Sequence, residues 1–399
     1  MTGRNKCDYK TGGLPAGLIL LLILLVLLPM HAGCTRSTDN PDNDAVPGKP
    51  PNESSHFTDG SVQYDSELEI QDMLGRSVTI GHQPERIIGL RAGALRMITW
   101  LDATNLVAGI EEPERQADRP YLFARPELRE LRVIGPLMGG DSELLVSARP
   151  DVLFMTFTTA GQADEMQART GVPVVALDYG DFADNRDRLF DSLRLMGLVL
   201  GREARADSLI SYIHDSIDEL RERTADIPDA RRPTAYVGGI SYRGAQGINA
   251  TDPHYPSFRF IRAENAAAEI SDQLINPIEG TFIDKEQLLL WDPDVLFVDL
   301  SSRHLVRPEI RPGTPLHSGL SALQDGEVYG ILPYNNYAAN YEHVLINAWY
   351  AGTVLYPGRF NDIDIEEKAD EIYEQFLGRP VYEDMSFRFG GLRRFTGGS

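Results

Sequence analysis

Residues 284–298 read "DKEQLLLWDPDVLFV", and residues 141–155 read "DSELLVSARPDVLFM". Eight of the fifteen positions are identical at a constant offset of 143. Each copy runs Asp, one residue, Glu, an apolar stretch of helical length, Pro-Asp, then a continuous apolar run. Asp141 and Asp284 are suited to cap helices, which places Glu143 and Glu286 in the first turn, where the helix dipole favours a carboxylate. Pro150 and Pro293 end those helices, and the "VLF" runs that follow read as fully buried strands. One chain that says this twice holds two lobes built alike.

The segments on either side of each copy fit that division. "LEIQDMLGRSVTI" (68–80) reads as a hairpin turning at Gly75. Short apolar runs at 86–90, 106–110, 151–157 and 172–178 then alternate with helical stretches, the pattern of an α/β lobe with a parallel sheet. Residues 184–224 are helical throughout, with a break near 197–201. Alternation resumes with a strand at 234–240, a helix at 257–269, the second copy of the repeat, a strand at 327–331 and helices near 340–355 and 365–377. The expected fold is α/β: two α/β lobes with mainly parallel sheets, joined by one long bridging α-helix, with a ligand cleft between them. The expected boundaries are 63–183 for the first lobe, 184–226 for the bridge, 227–380 for the second lobe and 381–399 for a loosely held tail.

At the amino terminus Arg4, Lys6 and Lys10 precede an uninterrupted apolar run over 18–28, and Ala32 and Gly33 stand before Cys34. Eleven apolar residues are too few to span a bilayer, which takes about 20, whereas basic, apolar and small-residue regions in this order suit an export signal. The ending resembles a lipoprotein signal covering 1–33, with Cys34 as the lipidated first residue, although His31 stands where such signals usually carry Leu. Cys7 and Cys34 are the only cysteines, so the exported chain has no intramolecular disulfide. Residues 34–62, rich in Pro, Asn, Asp and Ser, read as a flexible tether. Loss of 1–33 leaves 35 Lys and Arg against 58 Asp and Glu, a formal charge of −23. Nucleic acid is therefore excluded as a partner.

The opening "DMLGRSVTI…PERII", the two E-x6-PD-VLF units and the single helical bridge resemble the class III periplasmic substrate-binding proteins of ABC importers, the iron-siderophore, cobalamin and haem group. The resemblance implies an exported, membrane-anchored lipoprotein on the outer face of the cytoplasmic membrane, without covalently bound cofactor. Its ligand would be an iron complex or a tetrapyrrole, and its partner a dimeric ABC permease. It further implies that Glu143 and Glu286 dock into permease arginines.

Ligands of open α/β sheets lie beyond the carboxyl ends of the strands. That rule selects Arg91, Tyr179, Tyr242, Arg243 and Arg303. The loop around Tyr121 and the Tyr- and Asn-dense stretch "PYNNYAANYEHV" (333–344), with Asn336 and Tyr337, extend the same rim. Arginine with tyrosine suits an anionic complex, since guanidinium forks match carboxylates, and it equally admits a molybdate- or tungstate-type oxyanion. Histidines are scattered without metal-ligand spacing, which tells against a bare divalent metal, while direct ferric coordination by Tyr and Glu stays open. No G-x-S-x-G, H-E-x-x-H, Walker loop or G-x-G-x-x-G occurs. An exported enzyme and a surface-anchored interaction protein are the alternatives from other classes.

Overall fold

A computed structural model describes residues 67–395, apart from 137–138, 183, 271–274 and 276–279. The expected signal segment, Cys34 and the tether lie outside the described residues.

The body opens with the expected hairpin, β1 (Leu68–Gln71) and β2 (Ser77–Ile80), antiparallel with Leu68 opposite Ile80. Buried Asp72 holds the turn by accepting from the Leu74 and Arg76 amides. Its second oxygen accepts from the Ala176 amide at 3.1 Å and so fastens the hairpin to the adjoining sheet. That sheet is parallel, in the order β3 (Ile87–Leu90), β4 (Val152–Met155), β5 (Val174–Ala176). Its helices are α1 (Ala94–Trp100), α2 (Pro120–Ala124), α3 (Ser142–Ala148) and α4 (Ala160–Thr170). Residues 106–110, expected as a strand, form only two isolated parallel bridges, Val107 to Ile87 and Ile110 to Val133.

Two helices follow, α5 (Arg186–Leu200) and the 22-residue α6 (Glu203–Thr224), broken at Gly201 in a left-handed cap. At about 1.5 Å per residue α6 runs roughly 33 Å. The second half contains β6 (Thr234–Gly238), β7 (Ala250–Thr251), α7 (Pro256–Phe260), β8 (Glu264–Asn265), β9 (Thr281–Phe282), α8 (Lys285–Trp291) and β10 (Val295–Asp299). After these come α9 (Arg303–Ile310), α10 (Pro315–Gly319), α11 (Ser321–Asp325), β11 (Val328–Ile331), α12 (Tyr341–Leu355), α13 (Ile365–Leu377) and α14 (Tyr382–Phe389). Its sheet has the order β11-β10-β6-β8 and is parallel throughout. The helix expected over 257–269 stops at Phe260, because Glu264 and Asn265 pair with β6 instead. The chain after 381, expected to hang loosely, folds into α14 and then returns along β11: the Gly330 amide donates to the Arg393 carbonyl and the Phe395 amide to that of Val328.

Both repeat copies form a helix followed by a buried parallel strand, but the helix cap expected at both aspartates forms at only one of them. Asp141 caps α3 through the Glu143 and Leu144 amides, whereas Asp284 stands at the head of α8 without a side-chain cap. The helices end on left-handed Arg149 and Asp292, each followed by proline. The Pro-Asp carboxylates then reach sideways. Asp151 accepts from the Glu85 and Arg86 amides at the start of β3, and Asp294 accepts from the Thr234 amide and hydroxyl at the start of β6. Each aspartate thus sets the register of the neighbouring parallel strand. Replacing Asp151 by Ala removes two exposed hydrogen bonds, whose amides can turn to water, and should cost about 0.5–1.5 kcal/mol, read as a lower urea midpoint at unchanged slope. Asp151→Asn, which keeps an acceptor, should recover at least half of the loss.

Candidate functional site

The carboxyl ends of the two sheets face each other, and the contact between them centres on Arg96. This arginine stands in α1 between Leu95 and Met97 and is wholly buried. Its Nη1 donates to the Tyr179 hydroxyl and the Ala339 carbonyl, both at 2.6 Å. Its Nη2 donates to the Asn336 carbonyl at 3.1 Å and to Asn340 Oδ1 at 2.7 Å. Burial alone would lower the Arg96 pKa, but Tyr179, Glu342 and Tyr121 hold it above its ordinary value. Glu342 is also fully buried, and neither of its carboxylate oxygens has a hydrogen-bond partner among the described residues.

Residues 333–340 link β11 to α12 and form a strap across the gap. Tyr337 and Ala338 adopt left-handed backbone, with φ of 60° and 68°. The Tyr337 hydroxyl donates to Glu111 Oε2 and its ring lies 4.4 Å from the Arg119 guanidinium. Asn336 Nδ2 donates to the Asp118 carbonyl. Glu111 Oε1 meanwhile accepts from the Arg91 and Gly139 amides at 3.1 Å each. Burial pushes the Glu111 carboxyl above its usual range despite these bonds. Behind the strap, Tyr341 donates to the Tyr179 and Gly180 carbonyls and stacks between Tyr179 and Phe182, with centroids at 5.0 and 4.3 Å. At its root Asp299 accepts from the Tyr334 amide, and burial pushes its carboxyl up to about 6.

This geometry sorts the residues expected to bind ligand. Tyr121 is fully buried in α2 and gives its hydroxyl to Glu114, so it lines the core rather than the cleft. Tyr179 is likewise buried: it donates to the Ala339 carbonyl at 2.8 Å and accepts from Arg96, and burial raises its phenol to about 12. Asn336 and Tyr337 reach the first lobe through the bonds described above. Arg303 lies elsewhere, because α9 turns it towards α14, where it donates to the Phe389 carbonyl.

Three candidates remain at the rim. Half-buried Arg91 follows β3 with φ of 68° and sends Nη1 to the Phe157 carbonyl and Gln162. Exposed Arg243, with φ of 50°, follows β6 and has no ion pair among the described residues. Tyr242 bonds the Thr251 carbonyl at 2.9 Å, and its ring occupies the space a side chain on Gly280 would need. Beside them, Phe157 and Phe282 are 56% and 46% exposed. Glu143 and Glu286 project from the first turns of α3 and α8, both exposed, with exposed Leu144 and Leu290 nearby. Among the described residues no three His, Cys, Asp or Glu gather to hold a metal ion, and no helix is long and apolar enough to cross a membrane.

The model of the periplasmic binding protein family matches residues 106–334, more than half of the chain. The chain belongs to the periplasmic binding protein family. It is a substrate-binding protein of the ABC-transporter type, in which two lobes carry parallel sheets. The molybdate-binding protein MolA of Haemophilus influenzae is 24% identical over 343 residues, covering 80% of this chain and 93% of MolA. The structure of MolA bound to molybdate superimposes with a TM-score of 0.61 at 22% identity over 78% of this chain and 98% of its own. A periplasmic solute binding protein of Veillonella parvula gives 0.64 at 18% identity, over 81% and 97%. These two structures share the fold of this periplasmic binding protein.

Arg96, Glu111, Asn340 and Glu342 escaped the sequence reading. Arg96 alone carries a signal, being a cation inside the apolar run "ALRMITW". Its loss leaves buried acceptors unpaired and Glu342 without its counter-charge, so Arg96→Met should destabilise the protein by about 3–5 kcal/mol. Lysine should recover little of that, because an ammonium cannot span four acceptors as a guanidinium does. Urea denaturation of both variants measures this.

Proposed function

We propose that this protein captures a small tetrahedral oxyanion of the molybdate or tungstate class and delivers it to a dimeric ABC permease. The observation that carries this reading is the filled gap. The strap and its partners use up Tyr121, Tyr179, Asn336 and Tyr337, the side chains that would have walled a large chelate, and leave two arginines at the rim. Arg91 and Arg243 stand one on each lobe, beyond the carboxyl ends of β3 and β6, and a pair of guanidinium forks suits an oxyanion. The similarity to MolA over 93% of that protein's length supports the same ligand class. The lobes are taken as 63–183 and 227–380, with 184–226 as their bridge, and the ligand as held between them.

Calorimetric titration with molybdate and tungstate tests this. Each of Arg91→Gln and Arg243→Gln should weaken binding about tenfold or more, the worth of one charge-assisted hydrogen bond. Absence of binding to either oxyanion by the unaltered protein would sink the reading.

A second reading, an anionic iron(III) chelate or a tetrapyrrole, is favoured by exposed Phe157 and Phe282, which give each lobe an aromatic edge beside its arginine. A change in visible absorbance or quenched tryptophan fluorescence on adding a ferric chelate, haem or cobalamin, with no response to molybdate, selects it.

On either reading Glu143 and Glu286 dock the loaded protein. Two like charges on separate lobes engage two basic pockets of a symmetric permease only when the lobes are aligned. The protein is placed outside the cytoplasmic membrane, tethered through lipid on Cys34. Glu143→Lys combined with Glu286→Lys should abolish uptake in cells while leaving ligand affinity unchanged. Normal uptake by that double variant would remove both residues from the docking surface.

A further inference from the structure

The clamp on Arg96 leaves opposite charges buried near each other without a direct bond. Glu342 stands in the first turn of α12, wholly buried, and neither carboxylate oxygen has a hydrogen-bond partner among the described residues. Arg96 spends Nη1 and Nη2 on its four acceptors, and its Nε is unpartnered among the described residues. A carboxylate and a guanidinium in the same dry region ordinarily form a forked pair. Here the strap occupies the fork instead. Burial pushes the Glu342 carboxyl above its usual range, and the pull of Arg96 opposes this only in part. Tyr179 and Tyr373 lie in the same field, but neither hydroxyl donates to Glu342.

The strap itself is built to leave. Its roots are fixed: Asn347 binds both the amide and the carbonyl of Leu332 at 3.0 Å, and Tyr341 is held by the Tyr179 and Gly180 carbonyls. Between these roots, residues 334–339 are half-buried and carry no aliphatic side chain larger than alanine. Polar bonds to Arg96, Glu111 and Asp118 therefore supply most of the hold on the first lobe. The left-handed backbone at Tyr337 and Ala338 is strain that release would relieve. What opposes release is the guanidinium: without the strap it keeps the Tyr179 hydroxyl alone, and a buried charge so poorly supplied is costly.

We propose that Glu342 is the reserve partner of Arg96: when the strap lifts, the guanidinium turns from the Asn336 and Ala339 carbonyls onto the Glu342 carboxylate, and this exchange lowers the cost of release. The strap is thus a two-state latch. Arg96 belongs to the first lobe and Glu342 to the second, so the exchanged pair still joins the halves, and the strap lets go while the lobes stay together. Release returns the side chains of Asn336 and Tyr337 to the gap, whichever ligand the gap takes.

Hydrogen exchange of the full chain, read by mass spectrometry at one pH, tests this. The Asn336 and Asn340 amides are bonded inside the strap to the Ala338 and Tyr334 carbonyls, and relaxation of Tyr337 and Ala338 on release opens both bonds. Glu342→Gln removes the charge from the reserve partner and should slow exchange of these amides about tenfold or more, with no faster exchange in β10 or α6. Its urea midpoint establishes that folded protein is compared. Tyr337→Phe, which lacks the bond to Glu111, should speed strap exchange, and adding Glu342→Gln to it should reverse most of that gain. This second background keeps the comparison measurable where release in the unaltered chain is rare. A carboxylate that only steadies Arg96 within the clamp gives the opposite sign. Faster or unchanged strap exchange on Glu342→Gln, or a Tyr337→Phe gain that survives it, overturns the proposal.

Discussion

Arg96 is the constraint from which the shape of this molecule follows. A guanidinium keeps its charge at any ordinary pH, so one placed without solvent contact in the middle of α1 must be supplied with acceptors by the fold. Asn336, Ala339 and Asn340 provide three of the four hydrogen-bond acceptors, some 240 residues further along the chain. That demand dictates the strap. To present two carbonyls and an amide oxygen to one fork, the backbone passes through left-handed conformations at Tyr337 and Ala338, which cost about 1–2 kcal/mol each. The bond from Tyr337 to Glu111 and the cation–π contact with Arg119 offset part of that cost. Glu342, buried nearby, supplies the opposite charge in the same dry region.

The repeat answers a different requirement. A parallel sheet has no hairpin turns to fix its register, so something else must set where each strand begins. In both lobes the aspartate of Pro-Asp does this by binding the first amides of the strand alongside. The preceding proline and left-handed residue aim it there. Most identities between the two copies are therefore explained by folding alone. Glu143 and Glu286 are the exceptions: both are exposed, both stand in the first turn of a helix, and neither is in an ion pair among the described residues.

What was legible in the sequence was whatever has a local signature. The hairpin at 68–80, the strands after each Pro-Asp, the break before α6 and the extent of α13 were all readable from periodicity and punctuation. The strand-end rule named a set of loops. It could not say which side chains of those loops face solvent, because that depends on contacts between residues more than a hundred positions apart. Tyr179 and Tyr337 look alike in sequence to ligand-lining tyrosines; the first is buried under Arg96 and the strap, and the second is spent on Glu111. Arg303 failed for a simpler reason. The rule treats the residue after a strand as belonging to the cleft, yet a short 3-10 turn over Leu300–Ser302 intervenes and α9 carries the side chain to the flank.

The same clamp bears on how the lobes could respond to a ligand. Besides the bridge there is now a second fixed connection, the strap, whose bonds to Arg96, Glu111 and Asp118 would all have to break for the sheet ends to part widely. Large hinge motion is thereby made costly, and discrimination falls to side chains already in place. The two rim arginines differ in this respect. Arg91 is held by the Phe157 carbonyl and Gln162, so its guanidinium is preorganised and loses little freedom on binding. Arg243 is exposed and has no ion pair among the described residues, so in this reading the ligand itself orders it. In the oxyanion reading the first lobe thus sets the position of the anion and the second contributes the contact that reports its arrival, so a modest adjustment of one loop, rather than closure of a lobe, would distinguish the loaded state.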